Sequence, residues 1–461
     1  MVKAVIWRAL MAVGMKIHNF ADPKPPSPTF TLVIPSRLSP RGGSFKLVFY
    51  VPDGYFDAPD DYRFPVVVNY HGGGFTLGTA TDDARWAACI VRHVYAVFVS
   101  VEYRLAPEYP FSVGVEDGTD AVIYLASHAE ELQINPHQMA LSGFSAGGNF
   151  ALTVPLMLHD LRNHSGRRML GKTNTNPTTN PLNKRRRLGE GEGDTLLPIP
   201  SAPASPPTAA FTPSSSTLSL PVPSPVSSRS PTGSVYKLTD LQPTALEVEQ
   251  AIPDLTLKAL VSFYPPTDFR ISREEKRITN PQPGKNLPLM LTSLFDASYM
   301  HQDGDIALDD PYLSPAAASD ALLTEAYPDE IILYTCEYDM LNAEGTAFGE
   351  RLAAPPIAKT VHGGLIKSVV HGFDKKPNPI SFPASADRCY AEACAELKRI
   401  FGGPTSFEER RQLEKSKPVY RFSDENERGE DEPGEDGDGH LIDRSVNAPG
   451  ESSRAGLGAL I

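Results

Sequence analysis

A mostly parallel, doubly wound α/β sheet is the fold class the sequence predicts, and three observations predict it. Runs rich in β-branched and aromatic residues recur at 47–51, 66–70, 96–101, 139–142, 257–264, 331–336 and 366–370. Helical periodicity fills most of the gaps, as at 81–94 and 113–129. Two of the runs end on glycine-rich turns that carry reactive side chains. Strands alternating with helices imply parallel pairing, with functional groups gathered at the strand carboxyl ends.

In chain order, residues 1–20 come first and mix Lys3, Arg8 and Lys16 with Val, Ile, Trp, Leu and Met. Their longest apolar run, 9–15, is at the short limit for a secretory leader and lies between basic residues. A membrane span is excluded by length. Two readings stand: a covering piece over a pocket, or an amphipathic helix on a membrane surface.

The run 64–70 ends where His71-Gly72-Gly73-Gly74 begins. Successive glycines leave backbone N–H groups bare of side chains, so two can point at a developing oxyanion. Gly72 and Gly73 are the candidates, with His71 and Gly74 completing the motif. A lone triple glycine is more often a tight turn, so this reading depends on the second motif.

That motif is Gly143-Phe144-Ser145-Ala146-Gly147. By accident such a G-x-S-x-G arises in roughly one chain in six of this length, so context must decide. Here a short apolar run at 139–142 precedes it and a helical pattern at 147–158 follows. Strand, sharp turn and helix hold a serine hydroxyl at the tip of an elbow above a helix N-terminus. Gly143 and Gly147 leave room for the turn, Ser145 is the candidate nucleophile, and the Ala146 N–H is a third oxyanion donor. Each such donor contributes about 3–4 kcal/mol to the transition state.

A serine needs a base to take its proton and an acid to orient that base. The run 330–336 is followed by Glu337-Tyr338-Asp339, and the run 364–370 by His371-Gly372-Phe373. Asp339 is the candidate acid and His371 the candidate base, with Glu337 as the alternative acid. His362 shares the His-Gly dipeptide but precedes the final strand, at the wrong end of the sheet, and reads as a turn histidine. Arg104 and Glu108 read as structural ion-pairing residues.

These motifs, with Tyr103-Arg104-Leu105-Ala106-Pro107-Glu108, Glu116-Asp117 and Asp310-Pro311-Tyr312-Leu313-Ser314-Pro315, resemble the hormone-sensitive-lipase-like group of α/β-hydrolases, and more narrowly its fungal esterases. The resemblance covers roughly residues 20–160 and 255–403. It implies an α/β-hydrolase fold with a helical cap and a carboxylic ester hydrolase working through Ser145, His371 and Asp339. It also implies that residues 1–45 form an N-terminal lid, joined over the pocket by a cap element at 269–327. Many members carry Asp immediately before the nucleophile, and this chain carries Phe144. Some members are hormone receptors that have lost catalysis, usually through the histidine, which is present here.

Composition divides the chain of 461 residues. The core is expected at 46–162 and 251–403. Between these parts, 163–250 turns into Pro, Ser, Thr, Asn and Gly, around a basic cluster at Lys184-Arg185-Arg186-Arg187. Such a stretch cannot bury enough apolar surface to order itself, so a long disordered insertion is expected. Residues 404–461 read as a disordered acidic tail, which supplies much of the formal charge of −13. That balance argues against general nucleic-acid affinity. The basic cluster is of the kind used for nuclear import and, more commonly, simply solvated.

Cys89, Cys336, Cys389 and Cys394 show no metal-ligand or redox spacing. An intracellular, cytoplasmic protein is expected, with membrane association through residues 1–20 as the other location to weigh. No metal or cofactor is expected, and the expected partner is a small ester. The protein partners of the insertion and tail are not specified by their composition. The rival functions are amide hydrolysis or deacetylation by the same groups, and a non-catalytic ligand receptor on the same scaffold. On a chromogenic ester, His371→Ala is expected to abolish turnover while His362→Ala keeps most of it. Equal losses would undo the assignment.

Overall fold

Alternating apolar runs pair into one eight-stranded sheet in the computed structural model, which describes residues 1–163, 252–300 and 306–403. The strands are β1 (Phe30–Pro35), β2 (Ser44–Tyr50), β3 (Phe64–Tyr70), β4 (Val97–Glu102), β5 (Ile134–Phe144), β6 (Leu257–Phe263), β7 (Glu330–Tyr338) and β8 (Thr360–Val370). Their order is β1-β2-β4-β3-β5-β6-β7-β8. β2 pairs antiparallel with β1 and β4, and the other neighbours are parallel. The chain steps one way from β3 to β4 and the other way to β5. That reversal opens a crevice at the carboxyl ends of β3 and β5, where open α/β sheets hold ligands.

The described helices are α1 (Val2–His18), α2 (Ala84–Cys89), α3 (Val113–Ser127), α4 (Ala146–Asn163), α5 (Arg273–Thr279), α6 (Leu289–Tyr299), α7 (Asp320–Ala326), α8 (Asn342–Ala353) and α9 (Ala384–Ile400). Val66, Val68 and Tyr70 of β3 bury against one layer, which includes Leu125 of α3, Leu152 of α4 and Leu352 of α8. Val67 faces the opposite layer, with Ala87 of α2 and Leu397 of α9. A parallel sheet needs both faces covered, and its strands therefore read as continuous apolar runs. This is the doubly wound, mostly parallel architecture expected from the sequence.

Several boundaries differ. The segment assigned to a lid, 1–45, is split: α1 lies at the pocket, but β1 is an edge strand of the sheet. Its half-exposed pattern and terminal Pro35 suit an edge and gave a weak strand signal. The cap element expected at 269–327 is shorter, because among its described residues only those up to Met300 line the pocket. Farther on, Leu323 of α7 and Tyr327 bury in the core, and the Tyr327 hydroxyl donates to the Leu152 carbonyl at 2.8 Å. The helical pattern at 81–94 yields α2 and then a wider turn at Ile90–Val94. The insertion at 163–250 lies outside the described residues except for Asn163, which ends α4, and so does the tail at 404–461.

Helix α1 is held by its inner face. Arg8 donates from Nε to the Thr76 carbonyl at 2.8 Å and from Nη2 to the Ala106 carbonyl at 2.7 Å, and pairs with Glu108 at 2.7 Å. Arg104 pairs with buried Asp117 at 2.7 Å. Both residues expected to be structural are therefore ion-paired. At the other end of α1, His18 is buried, with Nδ1 2.9 Å from the Lys376 carbonyl.

Burial first, and Arg85 second, lower the His18 imidazole from its ordinary 6.5 to about 4. Between those values the unfolded chain binds a proton that the folded chain refuses. The His18 contribution to stability is complete above the unfolded value and is lost as pH falls toward the folded one. Urea titrations from pH 7 to 4 should cost the parent on the order of 2–3 kcal/mol more than His18→Asn. Parallel curves would contradict this.

Candidate active site

The elbow between β5 and α4 sets the first group. Ser145 has φ 53, a left-handed conformation unusual for a residue with a side chain. Its N–H donates to the Phe263 carbonyl at 2.8 Å, and its carbonyl receives the Asn149 N–H at 3.0 Å. The turn is possible only because backbone packs on backbone. A Cβ on Gly147 would lie 1.8 Å from the Tyr70 carbonyl oxygen, and one on Gly143 would lie 2.1 Å from that of Gly147.

His371 occupies the turn after β8, and its Nε2 lies 2.8 Å from Ser145 Oγ. Its Nδ1 lies 2.7 Å from Asp339 Oδ2. Asp339 directly follows β7 and is buried, and its Oδ1 accepts the Leu341 N–H at 3.1 Å. Three side chains distant in sequence are thus brought into one hydrogen-bonded line. Glu337 is not part of it, since its carboxylate accepts the Ser368 N–H at 2.6 Å and ties β7 to β8. His362 lies at the opposite end of the sheet, 2.7 Å from Glu330. It sits within β8, which begins at Thr360, and not on a turn as expected. The paired glycines after it obscured the start of that strand.

The glycine loop after β3 is oriented by two side chains. The Tyr103 hydroxyl donates to the His71 carbonyl at 2.8 Å, and His71 Nδ1 lies 2.8 Å from the Gly72 carbonyl. In a trans peptide the N–H points away from the carbonyl. Holding those two carbonyls therefore turns the Gly72 and Gly73 N–H groups the other way. The His71 ring itself is stacked on Tyr103, with centroids 4.2 Å apart. Gly72 borders the elbow, because a Cβ built on it would lie 3.6 Å from Ser145 Cβ. Ala146 opens α4, where its N–H has no intrahelical partner. Gly72, Gly73, Gly74, Ser145, Ala146 and His371 all line one cavity of about 140 Å³.

The histidine turn is braced from below. Asp374 accepts hydrogen bonds from Tyr264 at 2.5 Å and Tyr390 at 2.6 Å, and Lys375 pairs with Asp83 at 2.8 Å. Burial alone would raise the Asp374 carboxyl, but Lys375 and the two hydroxyls hold it below its ordinary range. Phe144 stacks on Phe263 at 4.4 Å and presents its ring 4.2 Å from the Lys375 ammonium. A carboxylate there would set a third anion beside one buried cation. The aromatic face instead completes the ammonium's surroundings.

The cavity walls are mostly apolar. Trp7 and Met11 come from α1, Phe75 and Leu77 from the glycine loop, and Leu291 and Phe295 from α6. Sequence reasoning assigned no individual role to Trp7, Tyr103, Tyr264 and Phe295, although Tyr103 stands in a motif quoted above. Tyr264 was the most accessible of these, since it directly follows β6 at the functional end of the sheet. Among the described residues, no group of three or more His, Cys, Asp or Glu could hold a metal ion.

A family model described as alpha/beta hydrolase fold matches residues 67–200 and 241–375, more than half of the chain. The AB hydrolase superfamily protein C1039.03 of Schizosaccharomyces pombe is 35% identical over 130 residues, covering 28% of this chain and 37% of that one. Carboxylesterase NlhH of Mycobacterium tuberculosis is 39% identical over 99 residues, covering 22% of this chain and 31% of its own. The chain thus spans about a third of the length of these curated relatives. Among solved structures, the metagenomic carboxylesterase EstE1 superposes with a TM-score of 0.55 at 21% identity, covering 86% of this chain and 97% of that one. That likeness is one of fold.

Tyr103→Phe should slow fluorophosphonate labelling of Ser145 about tenfold, the equivalent of one buried hydrogen bond. An unchanged labelling rate in the folded variant would show that the hydroxyl does not orient the loop.

Proposed function

The chain belongs to the alpha/beta hydrolase fold family, and from that premise we propose that it is a serine carboxylic-ester hydrolase acting on small to medium apolar esters. The observation that carries this reading is the unbroken line from Ser145 Oγ through His371 to Asp339, at 2.8 and 2.7 Å. The line opens into an apolar cavity, and the relatives named as carboxylesterases support the same reading.

In the proposed mechanism, Ser145 Oγ attacks the ester carbonyl carbon as His371 Nε2 takes its proton. Asp339 holds the proton on Nδ1, so that Nε2 faces the serine as a base, and it stabilises the imidazolium that forms. The tetrahedral oxygen receives the N–H groups of Gly72, Gly73 and Ala146. Collapse returns the proton to the departing alcohol and leaves an acyl-Ser145. Water, deprotonated by the same imidazole, then releases the acid. The Ala146 donor belongs to the first turn of α4, whose dipole adds to the stabilisation of negative charge.

The apolar walls set the substrate class. Charged acyl chains would have to shed water against Trp7, Leu77 and Leu291, and the cations in the wall, Arg273 and Lys375, are already paired with Asp296 and Asp83, which disfavours such chains. A series of p-nitrophenyl esters of rising chain length measures the preference directly. Fluorophosphonate should label the parent at Ser145 and leave Ser145→Ala unlabelled, and Asp339→Asn should lower kcat by about 10⁴. A folded parent that neither takes the label nor turns over any ester would make the scaffold a ligand receptor instead.

A further inference from the structure

Helix α1 is apolar on both faces. Ala4, Met15 and His18 are buried inward, and Trp7 and Met11 line the cavity. On the other side Val2, Ile6, Leu10, Val13 and Ile17, continued by Phe20, recur every three or four residues and are between 39% and 74% exposed. That spacing makes one continuous stripe along the helix. A helix apolar all round is ordinarily covered on all sides. Here the inward face is occupied by the protein, and among the described residues the outward one is left uncovered.

The charges on α1 say what would cover it. The helix contains no Asp or Glu. Arg8 is engaged with Glu108, but Lys3 and Lys16 are exposed. A second copy packed by the same face about a two-fold axis would set lysines against lysines with no helix carboxylate between them. The acidic stretch at 423–439 offers carboxylates but no large apolar side chain to bury the stripe. An anionic lipid surface supplies both requirements, since acyl chains accept the stripe and headgroups meet the lysines.

We propose that the outer face of α1 seats the protein on an anionic phospholipid surface. Neighbouring α6 also exposes Leu289 and Met290. Both helices line the cavity, so docking by this face sets the cavity walls beside the lipid. The docking rests on the exposed stripe and its lysines and does not depend on ester hydrolysis.

The test uses the full chain in flotation with vesicles of phosphatidylcholine alone and of phosphatidylcholine with phosphatidylserine. The parent and Ser145→Ala should float equally with the mixed vesicles, which separates docking from chemistry. Ile6→Glu/Val13→Glu should reduce the bound fraction by at least about tenfold. The same variant should hydrolyse a soluble short-chain ester at the parent rate, which shows that it is folded. Lys3→Glu/Lys16→Glu should lose about tenfold or more on mixed vesicles and little on phosphatidylcholine alone. Three results would overturn the proposal: a parent that floats with neither vesicle, binding indifferent to Ile6 and Val13, or a dimer broken by Ile6→Glu in a protein that ignores lipid.

Discussion

Backbone packed directly on backbone at the elbow is the constraint from which the rest of the site follows. Gly147 sits where any Cβ would enter the Tyr70 carbonyl, so the ends of β3 and β5 close to a separation no side chain permits. Ser145 is thereby held in a left-handed conformation, and the loop that continues β3 is set beside it. The backbone of Ser145 and the N–H groups of Gly72, Gly73 and Ala146 are positioned by main-chain contact, which does not depend on rotamers. The strain at Ser145 is sustained because the strand before it and the helix after it are both buried.

The imidazole arrives from the far side of the sheet and needs its own support. A polar chain runs beneath the cavity from Trp86 to Ser142, Asn69 and Asp83, and on to Lys375 and Asp374 beside the histidine turn. It ties the histidine turn to β3 and β5, which carry the other two parts of the site. Phe144 belongs to this arrangement. With Asp83 and Asp374 already facing Lys375, the residue before Ser145 serves the network better as a ring than as a third carboxylate.

The cap is bound to the core by contacts of two kinds. Lys276 of α5 and Glu344 of α8 form a buried pair at 2.5 Å, and Glu344 also accepts the Thr267 N–H. Removing one partner would strand a charge without water, so this pair fixes position more than it adds stability. The second kind is aromatic. Tyr299 of α6 stacks on Phe75 at 3.8 Å, and Phe295 occupies the space left by the missing Cβ of Gly74. The glycine loop therefore faces Ser145 on one side and the cap on the other. Movement of α6 would be felt at the Gly72 and Gly73 N–H groups through these two rings.

Local pattern pointed to seven of the eight strands and to Ser145, His371 and two candidate acids. The apolar runs, the two glycine turns and the acid and histidine after late strands are legible because each depends on neighbours within a few residues. What lay beyond the sequence was decided by contacts between distant segments. The edge strand β1 is a strand because β2 pairs with it. Tyr103 matters because its hydroxyl meets a carbonyl 32 residues away in sequence. Spacing favours Asp339 as the acid and leaves Glu337 as the alternative, and packing turns Glu337 toward β8 and Asp339 toward the imidazole. The two apolar faces of α1 show the same division. Composition declares the helix hydrophobic, and only its docking through Arg8 and His18 decides which side is left open.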